Sequence, residues 1–318
     1  MKVIDHILKA RKEKSVSYSM EIVPPPRGSS IKDITDQVKV IQPYDPKWID
    51  VTSHASNAYY KEMPDGSIKK KIFRKRPGTL SICGVIQNRF KIDTIAHVLC
   101  KGFTKEETED ALIELNYLGI QNVLALQGDS PNYSKPKLKT EEQNEYAIDL
   151  VRQIVDLNKG QFLDELSNTA EFDFCIGVAG YPEKHFEAAN LKTDIEYLKQ
   201  KVDAGAEYIV TQMFFDNNAF HGFVDKCRDA GITVPIVPGL KILKSERQLK
   251  SLPKNFHMDI PTELADQVRK DPENAREIGK EWAVMQTKDL IQSGICNIHY
   301  YIMNDSKDVT EVIDRVSK

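Results

Sequence analysis

The chain has 318 residues, 41% hydrophobic and 29% charged, with a formal net charge of −3. That balance suits a globular protein with a core large enough to need no disulfide or structural metal, and it gives no electrostatic reason to expect nucleic acid as a partner. Five dispersed cysteines without a C-x-x-C pair argue against a secreted scaffold or a zinc site, and no apolar run reaches membrane-spanning length, so a cytoplasmic protein is expected.

The opening segment, M-K-V-I-D-H-I-L-K-A-R-K-E-K, reads as an extra amphipathic helix rather than a signal peptide. Strand-like runs follow at 17–23, 48–52, 93–99, 122–126, 174–179, 208–213, 234–238 and 297–303. Helical patterns lie between them, among them 104–118, 141–157, 194–204 and 218–230. Thr104 opens T-K-E-E, a capping box in which its hydroxyl accepts an orphan amide while Glu107 reaches back. Gly119, Gly205 and Gly231 stand where those helices should stop. Two stretches read as loop insertions. The first, 60–79, holds the basic run Lys69, Lys70, Lys71, Arg74, Lys75 and Arg76, expected to be a solvated face, with steering of a polyglutamylated ligand as the alternative. The second, 130–140, carries Pro131 and Pro136 and is placed to cover a ligand.

Eight strand–helix alternations predict an α/β fold, a TIM-type (β/α)8 barrel formed by residues 1–318 as a single domain; an open doubly wound sheet is the alternative. Strand after strand ends on a residue capable of chemistry: Glu21, Thr52, His97, Asp129, Tyr181, Gln212 and Tyr301. In a barrel those ends open on one face, where active sites lie. No G-x-G-x-x-G follows a strand, so a dinucleotide would have to bind without that fingerprint.

In S-M-E-I-V-P-P-P-R (19–27), a carboxyl ending an apolar strand is poorly solvated and can keep its proton near neutrality, as a general acid must. The plainer reading is a Glu satisfied by a Lys or Arg. In L-A-L-Q-G-D (124–129), Gly128 would let a ligand approach the backbone beside Asp129, although such a pair is often only a turn. Tyr181 and His185 of G-V-A-G-Y-P-E-K-H could meet one ligand, while a lone His is more often a surface or core residue. His97 stands in an apolar strand, where a buried imidazole must find a partner. Asp194, Tyr197 and Lys201 share a helix face, either a solvated ion pair or a set for a ribose diol, a ring and a phosphate. Gln212 before two aromatics offers the donor and acceptor that suit a heterocycle edge.

Together the motifs resemble the methylenetetrahydrofolate reductase family, in its order: S-M-E-I-V-P-P-P, V-T at 51–52, A-H-V-L-C at 96–100, A-L-Q-G-D, V-A-G-Y-P-E-K-H, K-V-D-A-G-A at 201–206, T-Q-M-F-F-D and P-G-L at 238–240. The resemblance implies a flavoprotein that takes a hydride from NAD(P)H onto FAD and passes it, ping-pong, to 5,10-methylenetetrahydrofolate. It implies Glu21 as the acid that activates the folate and Asp129 as a charge between flavin and pterin. Gln212, Gln248 and Tyr301 match substrate contacts, and Thr52, His97, Gln127, Gly128, Asp129, Ala179, Tyr181, His185, Asp194 and Lys201 match FAD contacts. An assembly of identical subunits is expected. The chain departs from the family where Gln127 replaces an arginine, Ser53 a tyrosine, Leu252 a stacking Phe and Asp305 a basic residue. The S-adenosylmethionine-responsive domain of eukaryotic relatives is not expected within these 318 residues. The rival readings are a pterin-binding methyltransferase barrel and a non-catalytic folate-binding barrel, both colourless.

Overall fold

The computed structural model of the chain describes residues 1–54, 57–73, 76–128, 142–303 and 305–318. In chain order the elements are α1 (Val3–Glu13), β1 (Ser17–Ile22), α2 (Ile31–Ile41), β2 (Trp48–Val51), β3 (Asn57–Glu62), β4 (Ile68–Phe73), α3 (Thr79–Phe90), β5 (Asp93–Leu99), α4 (Lys105–Tyr117), β6 (Asn122–Leu126) and α5 (Ala147–Asn158). They continue with β7 (Cys175–Gly180), α6 (Leu191–Asp203), β8 (Tyr208–Thr211), α7 (Asn217–Asp229), β9 (Ile236–Val237), β10 (Gly239–Leu240), α8 (Gln248–Phe256), α9 (Thr262–Lys270), α10 (Ala275–Gln292), β11 (Asn297–Met303) and α11 (Lys307–Val316). Among the described residues no helix is long and apolar enough to cross a membrane.

The main sheet runs β10-β11-β1-β2-β5-β6-β7-β8-β9, with every pairing parallel. Its two ends are halves of one stave, because β9 and β10 are separated only by Pro238. β9 pairs with β8, through Ile209↔Ile236 and Val210↔Val237, whereas β10 pairs with β11, through Gly239↔His299 and Leu240↔Tyr300. Pro238 has no N–H to donate, but its carbonyl accepts from His299 N at 3.0 Å, and Gly239 N turns to Thr211 Oγ1 at 2.9 Å. The divided stave closes the cylinder, giving the (β/α)8 barrel that the alternation predicts.

Strand alternation divides the apolar residues into two layers. Outward positions such as Met20, Ile22, Ile49, Val51, Val123 and Ile176 pack under the helices. Inward positions, Trp48, Ile95, Leu124, Cys175, Tyr208, Val210 and Val237, fill the cylinder, and Val3 and Ile7 of α1 close its N-terminal mouth. α1 is pinned there by Val3 N donating to Asn122 Oδ1 at 2.9 Å and by His6 Nε2 beside Asp93 Oδ2 at 2.7 Å. The capping box at Thr104 forms with both bonds, at 3.1 and 2.9 Å.

Three expectations change. The helix foreseen over 141–157 starts only at Ala147, where the Asp149 carboxylate accepts from Tyr146 N at 3.1 Å and fixes the first turn. The insertion at 60–79 is not a loop, because β3 and β4 pair antiparallel from Asn57↔Phe73 to Glu62↔Ile68. The turn between them holds Gly66 at φ +79°, a backbone that glycine tolerates. The basic run is therefore divided: Lys69 to Lys71 lie on β4, Arg74 and Lys75 lie outside the described residues, and the Arg76 guanidinium donates to the Pro24 carbonyl instead of facing solvent. Residues 130–140 also lie outside the described residues.

Tyr208 can cross the interior only because Gly177 faces it: a Cβ at Gly177 would stand 2.3 Å from Tyr208 Cζ. Gly177→Ala is expected to cost about 1–3 kcal/mol or to prevent folding. Gly222→Ala on α7 meets only the Lys226 ammonium at 3.8 Å and is expected to add about 0.5–1 kcal/mol of helix preference. Urea titration of the two variants checks both signs.

Candidate active site

Inward polar residues gather toward the C-terminal mouth on four adjacent strands. Glu21 of β1, 9% exposed, is in register with Asp50 of β2 and with Tyr301 of β11. His97 of β5 finds the partner a buried imidazole requires: its Nε2 lies 3.4 Å from Asp50 Oδ2 and 3.6 Å from Glu21 Oε2. The other Asp50 oxygen stands 3.7 Å from His299 Nδ1, which is 2.9 Å from Ser19 Oγ. Ser19, His299, Asp50, His97 and Glu21 thus form one continuous row across β11, β1, β2 and β5.

The charges in this row follow from burial. Desolvation pushes the Glu21 carboxyl up to about 7, opposed by the charge of His97, reinforced by that of Asp50 and opposed again by that of Lys241. Burial pulls His97 down, but the Asp50 hydrogen bond and the charges of Glu21 and Asp50 outweigh it, and the net direction is up. Burial also lowers His299, with the charge of His97 acting the same way against Asp50. Glu21 thus keeps a proton near neutrality, and the charge of His97 beside it acts on that proton.

Sequence reasoning missed three titratable members of this site. Asp50 and His299 are the inward positions two residues before Thr52 and Tyr301, so strand alternation could have found both. Lys241 directly follows the P-G-L motif. It is 6% exposed, and its Nζ donates to the Tyr301 carbonyl at 3.2 Å. Tyr301 spans the interior beneath Gly239, where a Cβ would meet its ring at 2.6 Å, and its hydroxyl donates to the Thr211 carbonyl at 2.7 Å.

A second group forms where β7 ends and α6 begins. Lys201 Nζ donates to the Ala179 carbonyl at 3.1 Å, and the His185 amide donates to Asp194 Oδ2 at 2.9 Å. The Tyr181 ring meets His185 edge-on with centroids 4.6 Å apart. Burial pushes the Lys201 ammonium down to about 8 against the pull of Asp194. Burial, with Lys201 and Lys101, likewise lowers His185 against Asp194 and Glu187. The structure therefore brings Ala179, Tyr181, His185, Asp194 and Lys201 together, while Tyr197, 54% exposed, stays outside the group.

The remaining candidates are spread around the mouth. The Thr52 hydroxyl is buried and has no partner among the described residues, which is costly unless a ligand supplies one. Gln127 leaves β6 with its carbonyl accepting from Lys101 N at 2.9 Å, and Gly128 follows at φ +82°. Asp129 lies outside the described residues. Gln212 accepts from Met213 N at 2.9 Å, and Gln248, at the start of α8, accepts from Lys244 N at 2.7 Å. Leu252 is buried in a cluster with Met213, Phe215 and Leu243. Asp305 pairs with Lys244 at 3.2 Å and with Arg276, so its charge is answered within the protein. The Lys201 ammonium and the Thr52 hydroxyl as donors, with the Asp194 carboxylate as acceptor, fit the phosphate and ribose of a dinucleotide. A separate cleft of about 620 Å³ opens at the other mouth, lined by His6, Lys9, Lys47, Lys91 and Asp93 among others, and holds none of these groups.

The family model of methylenetetrahydrofolate reductase matches residues 6–317. Methylenetetrahydrofolate reductase 1 of Schizosaccharomyces pombe is 34% identical over 99% of this chain and 48% of its own length. The 5,10-methylenetetrahydrofolate reductase of Buchnera aphidicola subsp. Baizongia pistaciae is 33% identical over 92% of this chain and 89% of its own length. The chain thus spans about half the length of its eukaryotic relatives and nearly all of that bacterial one. Among solved structures, a Clostridium thermocellum protein described as binding two copies of 5-methyl-5,6,7,8-tetrahydrofolic acid shares the fold, with TM-score 0.58, 14% identity and coverage of 98% of this chain and 97% of that one. With the family pattern matched from residue 6 to residue 317, the chain belongs to the methylenetetrahydrofolate reductase family.

Proposed function

We propose that the chain binds FAD across the C-terminal mouth and, with NAD(P)H as donor, reduces 5,10-methylenetetrahydrofolate to 5-methyltetrahydrofolate. The observation that carries this reading is Glu21, a buried carboxyl that holds a proton near pH 7 at the end of a barrel strand. FAD, when bound, supplies the two-electron relay between nicotinamide and folate. Lys201 would neutralise its phosphate, Asp194 would accept from a ribose hydroxyl, and Thr52, His97, Ala179, Tyr181, His185, Gln127 and Gly128 would form the rest of its bed. Gln212, Gln248 and Tyr301 hold the folate.

Opening the imidazolidine ring of the substrate leaves an iminium cation, so a proton must reach the departing nitrogen first. Glu21 gives that proton. His97, 3.6 Å away and held by Asp50, is placed to return one. Asp129 would supply the negative charge that the iminium needs beside it. Residues 1–318 act as one catalytic domain in the cytoplasm, as an assembly of identical subunits; the five cysteines, all unpaired, suit a reducing compartment.

The purified protein is expected to be yellow. Lys201→Ala should weaken FAD retention by about 1.5–3 kcal/mol, the worth of a charge-assisted contact. Titration with FAD measures this, and an apoprotein without flavin affinity overturns the reading. Glu21→Gln, which keeps the shape but cannot donate a proton, should slow reoxidation by methylenetetrahydrofolate about 10²–10⁴-fold. Flavin reduction by NAD(P)H should stay within about threefold, since it takes no proton from Glu21; stopped-flow absorbance separates the two half-reactions. If both rates fall together, Glu21 is holding the flavin or the fold. The pH profile has a definite sign. The raised Glu21 keeps its proton below about pH 7, so the folate half-reaction is fastest there and loses about tenfold per unit above it. Glu21→Gln should lack that limb.

A further inference from the structure

A buried ammonium ordinarily takes an anion into the interior with it. Lys280, also little exposed but at the surface rim, meets two half-exposed carboxylates, Glu277 at 2.7 Å and Glu311 at 2.5 Å. Lys241 does not: among the described residues no carboxylate lies within 4.0 Å of it, and its one hydrogen bond goes to the Tyr301 carbonyl. Its place in the barrel accounts for the exception. β10 and β1 flank β11 on opposite sides, and Glu21 of β1 is the register partner of Tyr301. Along the divided stave, Gly239 faces the interior and Leu240 packs outward in the core, so alternation returns Lys241 to the inner side. Lys241 and Glu21 therefore rise on either side of one residue, and the charge of each acts on the other.

We propose that Lys241 is a positioning residue of the acid site, whose ammonium stabilises the carboxylate that Glu21 becomes on giving up its proton. The proposal rests on the reading of Glu21 as the folate acid. Burial alone would make Glu21 hold its proton too firmly to release it, and Asp50 adds to that resistance. Two cations counter it, His97 from β5 and Lys241 from the other side. The remaining neighbours are the Tyr301 phenol, Asp50 with His299 behind it, and Lys244, which opposes the charge of Lys241 but is itself held by Asp305 and Asp308. Burial and Lys244 bring Lys241 down to about 8, so it remains largely charged through neutrality.

The test is the pH dependence of reoxidation of the reduced, FAD-loaded enzyme by methylenetetrahydrofolate, in Lys241→Gln, Lys241→Met and Lys241→Arg. Gln keeps a donor for the Tyr301 carbonyl without the charge, Met removes both, and Arg keeps the charge. The alkaline limb should move up by roughly one pH unit in the Gln and Met variants and return toward wild type in Arg, with flavin content and Tm as folding controls. A limb that stays in place or moves down in Lys241→Gln overturns the proposal. So does a pattern in which Gln and Met both lose the folded protein while Arg keeps it, which would assign Lys241 to the fold. A wild-type enzyme that loads flavin but is not reoxidised by methylenetetrahydrofolate would instead bring down the functional reading, and this proposal with it.

Discussion

Closure of the sheet governs everything else in this molecule. Once the stave at 236–240 joins β8 to β11, every second residue on each strand points into a space with little room for water. A polar side chain in such a position has no solvent to satisfy it and must find its partner on another strand. An isolated carboxylate there would be expensive by several kcal/mol. The row from Ser19 to Glu21 is the solution: two carboxyls and two imidazoles arranged so that each charge faces an opposite charge or a hydrogen-bonding neighbour. The same confinement that makes the row necessary also lifts Glu21 into the range where it can exchange a proton at neutral pH.

The interior is graded along its axis. Its lower part is apolar, built on Trp48, Ile95, Leu124 and Tyr208 and closed below by Val3 and Ile7. This close-packed floor resists compression, so the polar residues above it are held by a rigid base. Beside them, the β7–α6 junction places a second cation, Lys201, against a backbone carbonyl and near a carboxylate. The two lysines differ in their company. Lys201 has Asp194 on its own helix, and Lys241 depends on a group carried by another strand.

How much of this was readable from the chain depends on whether an interaction is local. The strands at 93–99, 122–126 and 297–303 were legible because apolar runs bounded by turn residues carry their own period, and the cap at Thr104 because its partner is three residues away. The group around Lys201 was legible through the family motifs at 178–185 and 201–206 and through the helix spacing that ties Asp194 to Lys201. The β3–β4 hairpin was not, since consecutive lysines concealed a period of two and made the stretch read as a loop. Asp50, His299 and Lys241 escaped notice for another reason: each is one polar residue in an ordinary strand or turn, and its meaning arises only from neighbours brought alongside by the register. Tyr197 erred the opposite way, because a shared helix face does not ensure a shared depth.

The divided stave has a mechanical consequence. Each of its halves is held by a ladder only two residues long, Pro238 contributes no donor, and the Gly239 amide is spent on a side chain. The neighbouring seam between β1 and β11, by contrast, is laced through six register pairs. A cylinder built this way has a weakest line, and local opening follows the line with the fewest hydrogen bonds. That line runs past Thr211, Gly239 and Tyr301, so the wall that yields first is also a wall of the mouth. Breathing at this hinge would widen the chamber from the side, beginning beside His299, the member of the proton-bearing row that is in register with Gly239.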